Sequence, residues 1–519
     1  MAKNDRPNIL IFLVDEVQGD VVLPGHRCQM PNVRKLAEEG VTFSRAFGPS
    51  PHCCPSRATF MTGLYPSRHG VFNNVNTRTA FQRGLNPGVR LFSEALRAAG
   101  YHLAHSGKWH VSNEETPADR GWEELIPYKS GEIRPKLEDW DRRAAEPEEP
   151  DQPRPHGTIL RPGWWHSRFY GGGPTIEGPD AYKKARHYED GVLPGVKALP
   201  ELAGRDEPWC LCISTDLDHQ NPAPKDLEDL YDPDSVELPP SFSDMMRDKP
   251  RVYERLRHQV WGQLSEQEVK EGIAHYWALC SLQDRYIGEV LEALEQTGQA
   301  DNTLVLFVGD HGDYNFAHGL ANMGIPAFRE AYHVPAVMRW PRGIKNPGRT
   351  IDAFVSLADF APTFIELAGA ASEQRHTGRS LVPFLADEGT PEDWPDAWYS
   401  QTKGNEVYYT QRIVQTKKYK YVANWFDFDE LYDLENDPHE MVNLAFPSEQ
   451  ARATVSTGEQ GTTRTFTPWP PLKPELEEVR RELMAKMWRF ARKEEDIIFN
   501  AFAPVAVACY GPLVGLRNG

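Results

Sequence analysis

The residues with the clearest chemical potential form the run CCPSRATFMTG at positions 53–63. Proline suits the first position of a helix, so Pro55 predicts a helix start, and Gly63 suits the left-handed turn that ends one. The Cys53 side chain would then lie over the unpaired N–H groups and positive dipole end of that helix, where anions bind. Arg57, one turn later, adds a cation that can contact an oxyanion. A potential nucleophile therefore lies where an anion is expected to bind.

Other polar groups follow short apolar runs, and each could contribute a ligand or a proton carrier. They are Asp15 and Glu16 after run 9–14, Lys108 and His110 after run 101–105, His219 beside Asp218, and Asp310 and His311 after run 303–308. Adjacent carboxylates supply hard oxygen ligands for a divalent cation, and an Asp–His pair also suits a metal. Taken singly, each group is more typical of an acidic turn or a structural histidine.

The elements that must position these groups alternate between apolar strands and helical patterns. Strands are predicted at 9–14, 101–105, 209–214, 303–308 and 335–340, and helices at 31–40, 91–100, 266–297 and 359–369. Fully apolar strands that alternate with helices indicate a large, mostly parallel or mixed sheet flanked by helices on both faces, an α/β fold. Ligands bind at the carboxyl ends of the strands in such sheets, which is where Asp15 and Asp310 fall.

The pattern predicts two domains. Residues 1–388 form a catalytic α/β domain, with a loop-rich insertion at 111–200 that carries many Pro, Glu and Gly residues. Residues 389–519 form a smaller α+β unit, with an antiparallel sheet, a helix at 474–493 and an apolar tail from 497 onward. Such a tail either packs on its own domain or reaches a second subunit, so a homodimer or homotetramer is expected.

Composition limits the function classes. The 519 residues are 40% hydrophobic and 25% charged, as in soluble globular proteins. A net charge of −18 argues against a nucleic-acid or anionic-membrane partner, although a local cationic pocket can still bind an anion. Seven scattered cysteines do not form a disulfide framework and favour a reducing compartment. Run 9–14 is too short for a signal or membrane segment, so a cytoplasmic location is expected.

The run at 53–63 resembles the signature of the formylglycine sulfatases, a branch of the alkaline phosphatase superfamily, in which Cys-x-Pro-Ser-Arg is followed by Thr-Gly. The resemblance extends from about residue 6 to residue 445. Its further matches are the elements at 7–15, 100–110, 219–222, 301–312 and 430–444. It implies an alkaline phosphatase-like fold and oxidation of Cys53 to formylglycine by a formylglycine-generating enzyme in the cytoplasm.

The resemblance also implies roles for the site residues. Asp15, Glu16, Asp310, His311 and the hydrated formylglycine at Cys53 would hold one divalent cation, calcium or manganese, and His311 favours a softer ion than calcium. Arg57 and Lys108 would neutralise charge on the transferring group, His219 would protonate the leaving oxygen, and His110 would assist removal of the second hydroxyl proton. Asn74 and Glu16 would contact the substrate.

Three positions depart from the family pattern. Glu16 stands where many members have Asp, His311 where many have Asn, and Met323 where a substrate lysine is common. The His variant occurs among phosphonate monoester hydrolases of the same fold. Taken as a whole, the resemblance implies a hydrolase of sulfate monoesters with an aryl or small-alcohol leaving group. The alternatives are a phosphonate monoester or phosphate diester hydrolase with the same site, and a non-catalytic sulfatase-like binding protein.

Overall fold

The computed structural model describes residues 6–77, 79–127, 153–161, 164–166, 176–216, 222–405, 407–446, 471–500, 503, 510–511 and 514. The predicted proton donor His219, a large part of the insertion at 111–200 and most of the apolar tail lie outside the described residues. The residues proposed to surround Cys53 on the other strand ends are all described.

The described strands form three sheets. The strands are β1 (Asn8–Val14), β2 (Val41–Phe47), β3 (His102–Gly107), β4 (Glu123–Glu124), β5 (Ile159–Arg161), β6 (Trp164–His166), β7 (Trp209–Thr215), β8 (Thr303–Gly309), β9 (Ala336–Arg339), β10 (Arg349–Ser356), β11 (Ala397–Thr402), β12 (Gln411–Thr416), β13 (Tyr419–Asn424) and β14 (Glu430–Asp433). The largest sheet has eight strands in the order β10-β2-β9-β8-β1-β7-β3-β4. Strand β1 is parallel to both β7 and β8, whereas β9 is antiparallel to β8 and β2.

Helices cover both faces of this sheet. The described α-helices are α1 (Pro31–Glu38), α2 (Cys53–Thr62), α3 (Pro66–His69), α4 (Phe92–Ala98), α5 (Leu193–Ala203), α6 (Lys225–Glu228), α7 (Arg251–Arg255), α8 (Glu266–Gln296), α9 (Phe360–Leu367), α10 (Val382–Leu385) and α11 (Pro474–Lys493). Successive residues of β1 point to opposite faces, so alternate side chains join two different cores. Leu10, Phe12 and Val14 pack in the core under α8, and Ile9, Ile11 and Leu13 pack in the core that contains α2 and α9.

The long helix α8 starts where the sequence chemistry places a start. The Ser265 side chain accepts the backbone N–H of Glu268, and the Glu268 carboxylate accepts the backbone N–H of Ser265 at 2.8 Å. This reciprocal pair is a capping box, which satisfies two backbone donors that the first turn leaves unpaired. Tyr276, Ile287 and Val290 of α8 are fully buried against the sheet.

The later part of the chain forms a four-stranded antiparallel sheet, β11-β12-β13-β14, on which α11 packs. The large mixed sheet with flanking helices and the small antiparallel sheet with its helix confirm the predicted fold class. The described tail residues Phe499, Ala503, Tyr510 and Val514 pack in the core of the small sheet. The domain boundary at 388/389 and the homodimer or homotetramer stay predictions.

None of the described helices combines the length and the apolar character that crossing a bilayer requires.

Candidate active site around Cys53

Helix α2 presents Cys53 at its first residue. The predicted helix start at Pro55 is wrong by two residues. The helix begins at Cys53, and the residue before it, His52, is extended (φ −136°). Pro55 is tolerated there because the first-turn N–H groups have no partner within the helix. The predicted end is confirmed: Gly63 is left-handed at φ 68°, and a Cβ there would lie 2.6 Å from His376 Nδ1.

The other groups converge on Cys53 because parallel strands deliver them to one edge of the sheet. Asp15 directly follows β1, Asp310 follows β8, and Lys108 follows β3. Since β1 is parallel to β8 and β7, and β7 is parallel to β3, these carboxyl ends lie side by side. The strand ends thus bring together groups that are 295 residues apart in sequence, from Asp15 to Asp310.

Four side chains form a compact group of potential metal ligands. One ligand atom from each of Asp15, Cys53, Asp310 and His311 lies within 4.8 Å of the other three, and all four residues are buried. His311 Nε2 lies 3.2 Å from Cys53 Sγ and 3.5 Å from Asp15 Oδ1, while its Nδ1 lies 2.8 Å from the carbonyl oxygen of Gly312. A carbonyl only accepts, so Nδ1 carries a proton and Nε2 faces the group.

This donor set fits a divalent cation. Asp15 Oδ1 is buried and has no hydrogen-bond partner among the described residues, although Arg57 Nη2 lies 3.8 Å away. Two carboxylates, an imidazole and the residue at position 53 supply oxygen and nitrogen ligands of the kind that calcium, manganese and softer ions accept. A cation bound between these ligands would give the buried Oδ1 of Asp15 a partner.

The pKa values of the group indicate a negative local field. Burial raises the pKa of Asp310 to about 6, and the charge of Asp15 adds to this effect. Burial opposes the charged form of His311, but the Asp310 charge and contact with Asp15 outweigh it and raise the pKa of His311 to about 9. Both groups therefore hold protons more firmly than usual. A bound cation would displace such protons, so metal binding is expected to release them.

Two cations border the group. Arg57 donates from Nε to Asp310 Oδ2 at 2.6 Å and from Nη1 to Ser214 Oγ at 2.7 Å, and it is fully buried. Lys108 Nζ lies 2.7 Å from Asp15 Oδ2 and 3.8 Å from Cys53 Sγ, and 16% of its side chain is exposed. Arg57 is thus held mainly by protein groups, which suits it to orient Asp310. Lys108 is the more exposed of the two cations, since only 1% of the Arg57 side chain is exposed.

Three other predicted site residues, His110, Asn74 and Glu16, are not members of the group of potential metal ligands. His110 has a left-handed backbone (φ 51°), neither ring nitrogen has a hydrogen-bond partner among the described residues, and burial beside Lys108 lowers its pKa to about 3. Asn74 Oδ1 accepts the backbone N–H of Cys54 at 3.1 Å, so this side chain supports the start of α2. Glu16 donates its backbone N–H to Asp310 Oδ1 at 3.2 Å, but its carboxylate is outside the four-residue group.

Three residues near this edge of the sheet were not predicted from the sequence: Asp216, His187 and His52. Asp216 follows β7, and its Oδ1 lies 3.4 Å from Lys108 Nζ, while His187 Nε2 lies 3.6 Å from Asp216 Oδ2. Asp216 could have been found by the rule that identified Asp15, an acid directly after an apolar strand. His52, next to Cys53, is fully buried with both ring nitrogens unpartnered in the described part of the chain. Nothing in the local sequence pattern of His52 or His187 marks either residue.

Replacing Lys108 with methionine is expected to lower kcat/KM toward an anionic ester about 100- to 1,000-fold, because one positioned charge on the transferring group is lost. Methionine keeps most of the side-chain volume without the ammonium. Steady-state kinetics on an aryl sulfate measure the effect. Lys345→Met, at an exposed lysine, is the matched control and should retain wild-type kinetics. Equal kcat/KM values for Lys108→Met and Lys345→Met would show that Lys108 does not bind the anionic ester.

Comparison with known families agrees with the geometry. The Sulfatase family model matches residues 7–370, and the model for the C-terminal part of N-sulphoglucosamine sulphohydrolase matches residues 326–460. Choline-sulfatase of Rhizobium meliloti (strain 1021) is 30% identical over 472 residues, which cover 87% of this chain and 85% of that protein. Arylsulfatase K of Homo sapiens is 26% identical over 471 residues, which cover 85% of this chain and 79% of that protein.

Solved structures share the fold. The phosphonate monoester hydrolase of Agrobacterium radiobacter superimposes with a TM-score of 0.70 at 20% identity, covering 94% of this chain and 96% of that one. A 2-O glycosaminoglycan sulfatase gives a TM-score of 0.66 at 20% identity, covering 95% and 93%. The Sulfatase match spans most of the chain and includes Cys53 and the acidic strand ends around it. The chain therefore belongs to the sulfatase family of the alkaline phosphatase superfamily.

Proposed function

We propose that this sulfatase-family hydrolase cleaves sulfate monoesters with an aryl or small-alcohol leaving group, through a formylglycine formed from Cys53. The observation that carries this proposal is the position of Cys53. Its Sγ lies 3.2 Å from His311 Nε2 and 3.8 Å from Lys108 Nζ, in the same buried group as Asp15 and Asp310. The first side chain of α2 thus reaches potential metal ligands and an anion-binding cation together.

The environment of Cys53 favours a modified residue over a free thiol as nucleophile. Burial raises the pKa of the Cys53 thiol well above its usual value, and the Asp15 charge adds to this effect against the opposing charge of Lys108. A thiol with a raised pKa remains protonated near neutral pH, and the protonated form is a poor nucleophile. A hydrate hydroxyl at the same position is itself a weak acid, but a divalent cation held by the neighbouring ligands would lower its pKa, and the second hydroxyl provides a route to release sulfate.

The proposed reaction has two steps. One hydroxyl of the hydrated aldehyde at position 53 attacks sulfur, the S–O bond to the alcohol breaks, and the alcohol leaves with a proton. The second hydroxyl then loses its proton, the carbon–oxygen double bond re-forms, and sulfate departs. Water regenerates the hydrate, so no water molecule has to attack a sulfate ester. A formylglycine-generating enzyme is the partner that this route requires.

The residues of this chain divide the remaining work. Asp15, Asp310, His311 and the residue at position 53 would hold a divalent cation, calcium or manganese, which supplies positive charge beside the reacting ester. Lys108 contacts the anionic group directly, and Arg57 orients Asp310. His110, whose pKa is lowered by burial and by the charge of Lys108, stays neutral, and it remains the proposed acceptor of the second hydroxyl proton. His219 remains the proposed donor to the leaving oxygen.

A second candidate activity uses the same residues. His311 at a ligand position and Met323 in place of a second substrate cation favour a monoanionic phosphonate monoester or phosphate diester. Substituting histidine for a neutral amide softens the ligand set, and losing a lysine lowers the positive charge available to a substrate. These two features leave the choice of ester to kinetics.

The test begins with the peptide that contains Cys53, from protein made beside an active formylglycine-generating enzyme. Exchange of thiol for aldehyde lowers its mass by about 18 Da, and an unchanged thiol would rule out the proposed nucleophile. We then expect a higher kcat/KM for 4-nitrophenyl sulfate or choline sulfate than for 4-nitrophenyl phenylphosphonate. The reverse order would establish the phosphonate alternative. Sulfate binding without turnover of any ester by modified protein would instead establish a non-catalytic binding protein.

A further inference from the structure

A second group of potential ligands is made of residues other than those around Cys53. One ligand atom each from His318, Glu330 and Glu440 lies within 4.8 Å of the other two. His318 and Glu440 are buried, with relative exposures of 0% and 1%, and Glu330 is half-buried. The group shares no residue with the one formed by Asp15, Cys53, Asp310 and His311. It therefore requires an explanation that the proposed hydrolysis does not supply.

The His318 ring is held in the orientation of a metal ligand. Its Nδ1 lies 2.8 Å from Asp244 Oδ2, and Lys249 Nζ lies 3.1 Å from the same oxygen, which keeps Asp244 ionised. A carboxylate only accepts, so Nδ1 carries the proton. The ring stacks on Phe328 with a centroid separation of 3.5 Å and an interplanar angle of 9°. A carboxylate behind the imidazole is the usual outer partner of a histidine that binds a metal.

The opposite nitrogen of His318 has no partner. His318 Nε2 and Glu330 Oε2 are both buried atoms that have no hydrogen-bond partner among the described residues. A buried polar atom without a partner costs free energy, so two such atoms within one group of three potential ligands indicate a missing occupant. The backbone adds to the cost, because His318 is held in the left-handed region at φ 54°.

The charges around the group favour a cation as that occupant. Glu440 accepts Lys420 Nζ at 2.5 Å on Oε1 and the backbone N–H of Arg329 at 3.1 Å on Oε2, so each of its oxygens retains a lone pair. The Arg329 guanidinium donates to Asp20 at 2.6 and 2.7 Å, and its charge also attracts Glu330 and Glu440 from a greater distance. Glu330 Oε2 has no hydrogen-bond partner among the described residues, so this oxygen is available to a cation.

We propose that His318, Glu330 and Glu440 bind a second divalent cation, for which Zn²⁺ is the best match. Imidazole nitrogen and carboxylate oxygen are both ligand types that Zn²⁺ accepts, and a water molecule would complete a tetrahedral set. The ligands come from two regions: His318 and Glu330 lie between β8 and β9, and Glu440 follows β14. The ion would fasten the four-stranded sheet to the eight-stranded sheet. The proposed role is to hold these two regions together, and the site shares no ligand with the group at Cys53.

The test uses the full chain with Asp310→Asn, which removes a ligand from the Cys53 site so that the remaining ion can be counted. After chelator treatment, this protein is titrated with Zn²⁺, and with Co²⁺ as a spectroscopic probe. We expect about one equivalent to bind, with visible Co²⁺ absorption bands of a four- or five-coordinate site. Adding Glu330→Gln should weaken binding at least tenfold, roughly the lower bound for disturbing a metal site. Adding Glu373→Gln, at an exposed glutamate, should leave it unchanged.

A second readout separates metal binding from a folding defect. At a hundredfold excess of Zn²⁺ over Kd, the Asp310→Asn protein should unfold about 3 °C higher than without metal, and the added Glu330→Gln change should abolish this gain. Should Glu330→Gln prevent folding, His318→Asn replaces it, because asparagine tolerates a left-handed backbone. Failure of the Asp310→Asn protein to bind either ion would overturn the proposal. So would equal affinity or an equal thermal gain after loss of the Glu330 or His318 ligand.

Discussion

Replacing Cys53 with alanine is expected to lower kcat/KM on an aryl sulfate at least about 10,000-fold, because loss of a nucleophile leaves only binding and charge stabilisation. The site around it should remain: Arg57 holds Asp310 at 2.6 Å and Lys108 holds Asp15 at 2.7 Å without using the thiol. Alanine also suits the first turn of a helix. The variant should therefore bind sulfate and unfold at nearly the wild-type temperature while turnover is lost.

The neighbouring cysteine provides the matched control. Cys54 is also fully buried and follows Cys53 in α2, but its Sγ accepts the backbone N–H of Val75 at 3.4 Å and is absent from the potential metal group. Cys54→Ala should keep kcat/KM within about fivefold of wild type and lower stability by about 1 kcal/mol, the scale of a weak hydrogen bond and a small cavity. Retention of more than a tenth of wild-type activity by Cys53→Ala would refute the mechanism.

The fold could be predicted where burial leaves a periodic mark in the sequence. Strands β1, β7 and β8 are covered on both faces, so they read as continuous apolar runs, and an acid at the end of such a run predicts a site residue. The start of α8 could be read from Ser265 and Glu268, because a capping box acts between residues three apart. Each of these signals lies within a few neighbouring residues, so a single sequence is enough to detect it.

Pairing partners could not be predicted in the same way. Strands β2 and β10 pair across about 300 residues, and β9 is the strand that runs antiparallel to its neighbours in the mixed sheet, which its sequence does not reveal. Neither choice depends on a residue near these strands in sequence. The role of Arg57 has the same origin. A spacing of one turn after Cys53 predicts contact with a substrate, which stays a prediction, but it gives no sign of the contacts with Asp310 and Ser214, from two distant strand ends.

Glu16 shows how backbone geometry changes a prediction. Its position beside Asp15 suggested a second carboxylate ligand, but a strand end need not aim two successive side chains at one point. The left-handed φ of 62° turns the chain there, so the backbone N–H of Glu16 meets Asp310 while its carboxyl has a pKa raised by burial and by the charge of Asp313. Asp216, directly after β7, lies 3.4 Å from Lys108 Nζ, although its sequence position did not lead to its prediction as a site residue.

Replacing Asp310 with asparagine is expected to remove one equivalent of metal and to lower kcat/KM about 1,000-fold, the equivalent of several kcal/mol of charge stabilisation. The carboxylate of Asp310 is central to the group: it accepts Arg57 Nε at 2.6 Å and the backbone N–H groups of Glu16 and His311 at 3.2 and 2.8 Å. Since burial and Asp15 raise the pKa of Asp310 to about 6, its neutral form is already accessible in metal-free protein. Asparagine should therefore preserve the fold.

Asp301→Asn is the control for this change, because Asp301 is exposed just before β8, whereas Asp310 follows the buried carboxyl end of the same strand. Elemental analysis after dialysis should find the same metal content in the control as in wild type, and one equivalent less in Asp310→Asn. Excess calcium or manganese should restore little activity, since Asp310 also orders the Arg57 guanidinium. Full metal content with full activity in Asp310→Asn would exclude it as a ligand. Full metal content with lost activity would limit its role to orienting Arg57 and His311.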